Sequence, residues 1–174
     1  MRTVTAHLFH SVDGVVESPN LWQFDQFDAE LGQAMTASIA KVQTVLLGRV
    51  SYEEWASYWP TAGADDPFAA FINPVEKLVA SRTLTGDLAW QNSRVLAGDL
   101  VAEITALRNQ DGGDIAVNGS ISVVRQLLFA GLLDALTLTT HPVVAGSGRR
   151  LFESGDPLTR LTLLESSTTS SARR

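Results

Sequence analysis

The sequence contains no cysteine, which excludes a disulfide framework, a thiolate metal site and a cysteine nucleophile together. Stability must come from packing, and the cytoplasm is the expected setting. Residues 1–14 (MRTVTAHLFHSVDG) carry a lone Arg2 but no uninterrupted apolar stretch of signal-peptide length, and no later run approaches a membrane span. A soluble chain is the expectation. Positive charge is scarce: 13 Lys and Arg face 19 Asp and Glu, for a net charge of −6 and a pI near 4.9. The summed field therefore repels nucleic acid and anionic lipid, and neither is an expected partner. Any phosphate-bearing ligand must be held by locally placed groups. The chain also lacks a GxGxxG fingerprint, a P-loop and a His-x-x-x-His pair among His7, His10 and His141, so no standard dinucleotide fold, kinase site or metal centre is expected.

What is present is the balance of one globular domain: 174 residues, 45% hydrophobic and 18% charged. Residues 3–9 alternate polar and apolar with β-branched members, a strand that stops at the turn residues 11–14 (SVDG). Phe24, Phe27, Leu31, Met35, Ile39 and Val42 fall at steps of three or four, one face of a helix. Residues 44–47 (TVLL) are uniformly apolar after Thr44, as in a strand covered on both faces. Ser51 with Glu54 has the spacing of a capping box opening a second helix, closed by Pro60. A loop over 61–67, a short helix over 68–72, strands at 77–80 and 95–96, a helix at 100–108 and a strand at 115–117 follow. A helix bearing Ile121, Val124, Leu127 and Leu128 stops at Gly131, and strands are expected at 136–140 and 161–164. The alternation implies an α/β sheet, mostly parallel, whose ligands gather beyond the carboxyl ends of the strands.

Three predicted strand ends carry residues suited to phosphate. Gly48 allows close backbone approach, Arg49 offers a charged fork, and the helix at Ser51 presents free amides; alternatively Arg49 pairs with a surface carboxylate. Ser81, Arg82 and Thr83 set two hydroxyls around a guanidinium where an NAD-binding sheet would place an acid, and an arginine here favours a 2′-phosphate and hence NADPH; the alternative is an ordinary exposed loop. Asn118, Gly119 and Ser120 join a strand to a helix, with the Ser120 hydroxyl placed either to cap that helix or to touch a pyrophosphate. Asp13, Asp25, Asp28 and Glu30 are the carboxylates nearest the first strand end and can move a proton, although most charges on such a helix are simply solvated. Trp55 and Trp59 sit four apart and should pack; Trp22 either stacks on a flat ligand or anchors its loop.

Taken together, residues 46–53 (LLGRVSYE), 77–84 (KLVASRTL), 118–120 (NGS), 131–134 (GLLD) and 142–152 (PVVAGSGRRLF) resemble the dihydrofolate reductase-like family, which includes the reductase domain of bacterial riboflavin biosynthesis. Order and spacing match over residues 3–166, and the block from Gly119 to Phe152 is the most specific. The resemblance implies a three-layer α/β/α fold with a mostly parallel sheet of about eight strands, one reductase domain over 1–166, and a tail over 167–174. It implies NADPH across the carboxyl edge, its phosphates near Gly48, Arg49, Ser51, Asn118, Gly119, Ser120 and Ile121 and its 2′-phosphate near Ser81, Arg82 and Thr83. It further implies that residues 11–14 form the mobile loop beside the nicotinamide and that the Phe24 helix forms the other wall of the substrate cleft. The spacing from Gly48 back to Asp25 or Asp28 differs from that of the pterin-holding acid, which argues against folate itself. After residues 166–170 the family's last paired strand is expected to be missing, truncated or supplied by a partner, and a homodimer is implied.

The expected activity is hydride transfer from NADPH to a small heterocycle, with Asp13 and Asp28 as catalytic candidates. A ribosylamino-pyrimidine of the riboflavin type comes first, a pterin or dihydrofolate second, an unrelated carbonyl third. The competing readings are a nucleotide-binding or oligomerising module without turnover, and a generic α/β protein whose arginines are plain surface charges.

Overall fold

The computed structural model describes residues 1–23, 27–63 and 65–170. In chain order the elements are β1 (Val4–Ser11), α1 (Ala29–Ile39), β2 (Val42–Gly48), α2 (Arg49–Tyr58), α3 (Pro67–Ile72), β3 (Glu76–Ala80), β4 (Ser93–Val95), α4 (Leu100–Arg108), β5 (Asp114–Asn118), α5 (Ile121–Phe129) and β6 (Ala135–His141). Helix starts are set by short acidic side chains: Asp28 accepts from the Leu31 amide, Asp66 from Phe68 and Ala69, and Asp99 from Val101 and Ala102. Helix α5 ends as its sequence predicts, because Gly131 adopts φ +69° and the amides of Gly131 and Leu132 return to the carbonyls of Leu128 and Leu127.

The strands form one sheet of six in the order β4-β3-β2-β5-β1-β6, and every neighbouring pair is parallel. The expected count of about eight is corrected to six. Residues 161–164 alternate like a strand but form no element and pair with no strand among the described residues. Alternation decides which face a side chain takes; it does not supply a neighbouring strand. The helix expected from Phe24 begins at Ala29, where Asp28 caps it; Phe24 and Asp25 lie outside the described residues, as do 171–174 of the tail.

Two apolar layers sandwich the sheet. Leu46, Leu78, Ile115 and Val117 meet Ile104, Val124 and Leu127 of α4 and α5 on one face; Val45, Leu47 and Val79 meet Tyr52 and Ile72 of α2 and α3 on the other. That is why residues 44–47 read as uniformly buried: Leu46 serves one layer and Val45 and Leu47 the other, each side chain contributing about 1.5–3 kcal/mol of burial. Helix α1 packs beside α3. Adjacent strands β2 and β5 thus send their chains to opposite faces, and the crevice this opens lies beyond their carboxyl ends. No helix among the described residues is long and apolar enough to cross a membrane.

Candidate active site

The predicted phosphate corner assembles at that crevice. The Gly48 amide donates to the Ser120 hydroxyl at 2.9 Å, and the Ser120 amide donates to the Ser51 hydroxyl at 3.1 Å. These crossed bonds tie the start of α2 to the start of α5. They also correct the capping-box expectation: α2 begins at Arg49, behind Gly48, and Ser51 uses its hydroxyl across space. Ser120 likewise makes no side-chain cap to its own helix. Gly119 sits at φ +70°, and a Cβ there would stand 3.6 Å from Ser51 Oγ and 3.9 Å from Trp55, filling the gap between the helix starts. Ile121 opens α5 and packs into the α4/α5 layer.

Strand β3 lies beside β2 with Ala80 opposite Gly48, so Ser81, Arg82 and Thr83 follow at the same edge. Ser81 Oγ accepts from the amides of Thr83 and Leu84 at 3.1 and 2.9 Å, folding a tight turn. Arg82 is exposed and makes no hydrogen bond or ion pair among the described residues. Arg49 instead turns to Glu53 on its own helix, at 2.6 Å, as the alternative reading held. The Asn118 Nδ2 atom is buried without a partner among the described residues.

Asp13 is held as an acceptor. It takes hydrogen bonds from Ser11 Oγ at 2.7 Å and from the amides of Ala145 and Gly146 at 2.9 and 3.0 Å. Those donors, the Ser11 hydroxyl first, pull its carboxyl down to about 2. The same donors favour the ionised form and fasten Asp13 to the loop at 145–146. The turn at 11–14 is correspondingly fastened: Arg150 Nε donates to the Asp13 carbonyl at 2.8 Å, Val15 bridges Arg150, and the Val12 amide donates to the Val143 carbonyl. Arg149 reaches from this loop to Ser122 Oγ, at 3.3 Å, on the first turn of α5. Asp28 caps α1, and Glu30 accepts from Ser170 N and Oγ, both at 2.8 Å.

The sequence reading missed a row of rings on the α1 side of β1 and β6. His7 Nε2 is hydrogen-bonded to Thr139 Oγ1 at 2.7 Å. Phe9 stands 5.5 Å from both His7 and His141. Trp22, anchored by its indole N–H to the Glu17 carbonyl at 3.0 Å, lies 5.9 Å from His141; Phe27 lies 6.4 Å from Phe9. Burial lowers the pKa of His7, His10 and His141, with Asp13 opposing the change at His10. The signal for this row was available: His7, Phe9 and Ser11 are every second residue of a strand. Trp55 and Trp59 pack edge to face at 6.2 Å, as expected. No group of acidic or imidazole side chains among the described residues could hold a metal ion.

The RibD C-terminal domain family matches residues 2–172. The chain belongs to that family. Among curated proteins, the uncharacterized protein YyaP of Bacillus subtilis strain 168 is 28% identical over 157 residues, covering 87% of this chain and 80% of its own. Among solved structures, a candidate riboflavin biosynthesis protein from Shewanella sp. PV-4 superposes with a TM-score of 0.72 at 18% identity, covering 98% of this chain and 94% of that one. Dihydrofolate reductase from Enterococcus faecalis, complexed with NADP(H) and RAB-propyl, gives 0.56 at 15% identity, covering 87% and 77%. A diaminohydroxyphosphoribosylaminopyrimidine deaminase/5-amino-6-(5-phosphoribosylamino)uracil reductase from Thermotoga maritima gives 0.61 at 15%, covering 96% of this chain and 54% of its own. A RibD C-terminal domain is dihydrofolate reductase-like in fold, and the six-stranded sheet here agrees with that.

Proposed function

We propose that this RibD C-terminal domain protein is an NADPH-dependent reductase of a small heterocycle. The observation that carries the reading is the pair of crossed bonds through Gly48, Ser51 and Ser120, which juxtaposes two helix N-termini at the crevice between β2 and β5. The residues fit a dinucleotide. Gly119 leaves open the space a Cβ would fill, and among the described residues the buried Asn118 Nδ2 atom lacks a partner and the Arg82 guanidinium, one strand away, is unpaired. Gly48, Arg49, Ser51, Asn118, Gly119, Ser120 and Ile121 would hold the phosphates, and Ser81, Arg82 and Thr83 the 2′-phosphate. Redirecting Arg49 from its exposed pair with Glu53 costs about 0–1 kcal/mol. When bound, NADPH supplies the hydride. The protein's own part is to orient the partners, exclude water with the fastened loops at 11–17 and 143–150, and stack the substrate ring on the aromatic row.

A ribosylamino-pyrimidine remains the first substrate, with a pterin or dihydrofolate second. Binding without turnover is the second reading, favoured by one observation: Asp13 and Asp28 are both engaged in holding backbone amides. A cytoplasmic homodimer completes the proposal. Leu158, Leu161, Leu163 and Leu164 lie 60% or more exposed on the unpaired segment, and β6 is a sheet edge. Light scattering tests the dimer. For the activity, NADPH is titrated by fluorescence and its oxidation followed with pyrimidine, pterin and quinone acceptors. Tight binding with no oxidation by any acceptor would refute the reductase reading and leave the binding module; no binding would refute both.

A further inference from the structure

His141 closes β6 opposite Ser11, is 2% exposed, and has an Nε2 atom buried without a hydrogen-bond partner among the described residues. A buried ring nitrogen left unmatched is uncommon and disfavours the folded chain until something completes it. Several neighbouring polar groups are committed: His7 Nε2 to Thr139, Ser11 to Asp13 and Val15, the Trp22 indole to Glu17, and Asp13 to two loop amides. Around His141 stand Phe9 at 5.5 Å, tilted by 58°, and Trp22 at 5.9 Å, edge-on at 68°. Such surfaces receive a flat ring. Burial keeps the imidazole neutral, so it offers one donor and one acceptor, and the row carries no unpaired charge.

We infer that His141 is the specificity-determining contact on the substrate side, its Nε2 meeting the donor–acceptor edge of an uncharged, planar nitrogen heterocycle that lies against Phe9 and Trp22. The inference rests on the reductase reading and narrows its substrate class. A carbonyl compound without a flat polar-edged ring would leave Nε2 unmatched, and any phosphate on the substrate must project away from this row.

The test uses protein carrying 15N-labelled histidine, saturated with NADPH and titrated with 5,6-diaminouracil, a neutral pyrimidine with donors and acceptors along one edge. The Nε2 resonance of His141 is expected to move, while that of His10, on the opposite face of β1, stays. His141→Phe should weaken 5,6-diaminouracil about tenfold, the loss of one well-made hydrogen bond in a desolvated site, with NADPH affinity unchanged. His141→Gln should recover part of the loss. An unmoved resonance in the unsubstituted protein overturns the inference even where a variant fails to fold, and so does a His141→Phe protein that binds the pyrimidine as tightly as its parent. In both cases intact NADPH binding keeps the reductase reading standing. Failure of the unsubstituted protein to bind NADPH would overturn that reading and the inference with it.

Discussion

Replacing Arg82 by alanine isolates the cofactor contact, because the side chain does nothing else. It is exposed and unpaired among the described residues, so folding stability should stay within about 0.5 kcal/mol. If its guanidinium receives the 2′-phosphate, the loss is that of hydrogen bonds to a charged group, about 1.5–3 kcal/mol, or about 10- to 150-fold in Kd. NADH, which lacks that phosphate, should be unaffected. Fluorescence titrations of both nucleotides on parent and variant measure the ratio directly. Because Arg82 is solvent-facing, the NADPH preference should shrink as salt is raised, and Arg82→Lys should keep part of it, having the charge but not the planar fork. Equal losses for the two nucleotides, or none for either, would refute the assignment and leave Ser81–Thr83 an ordinary turn.

Ser120→Ala should lower stability by about 1–3 kcal/mol, since the Gly48 amide loses its acceptor; a urea midpoint shift shows it, and an unshifted midpoint would mean that the corner is not tied there. Lys77 is buried and donates to the carbonyls of Ile72, Asn73 and Val75 over the face of Trp90, with burial pushing its ammonium down to about 8. The unfolded chain holds that proton more tightly, so stability should rise from pH 8 towards 10.5 by up to about 3 kcal/mol. Lys77→Met should abolish this rise in urea melts. For Asp13 the slope has the same sign in the acid range, because its folded pKa is also lowered: its contribution is complete above the ordinary carboxylate range and is lost as pH falls towards 2. Asp13→Asn should show a shallower acid loss than the parent.

Much of the fold was legible because burial imposes a period. Uniform apolarity at 44–47 announced a strand covered twice, and glycine at 131 announced a helix end in the left-handed region. The meeting of Gly48, Ser51 and Ser120 was legible for a related reason, since small residues just past strands mark where backbone must stay open. What failed was the assignment of partners. Ser51 with Glu54 has a local capping pattern, yet the serine answers an amide 69 residues away. Asp13 has the chemistry of an acid, but its lone pairs are taken by amides from a loop 132 and 133 residues further along. The aromatic row escaped because its members come from β1, β6 and the segment between β1 and α1, and the histidines were weighed only against metal-ligand spacing. Spacing reports neighbours on one element; it is silent about which strands lie side by side.

The closing segment has one further consequence. Its near end is clamped by Asp156, which meets the Arg125 guanidinium at 2.8 and 2.5 Å on α5, the helix whose start is tied to that of α2. Its far end is fastened by Ser170 to Glu30 on α1, the helix beside the aromatic row. Between these moorings residues 157–168 are exposed to solvent. Cutting it there removes no residue of either anchoring helix, so the two are joined through a stretch of chain that belongs to neither.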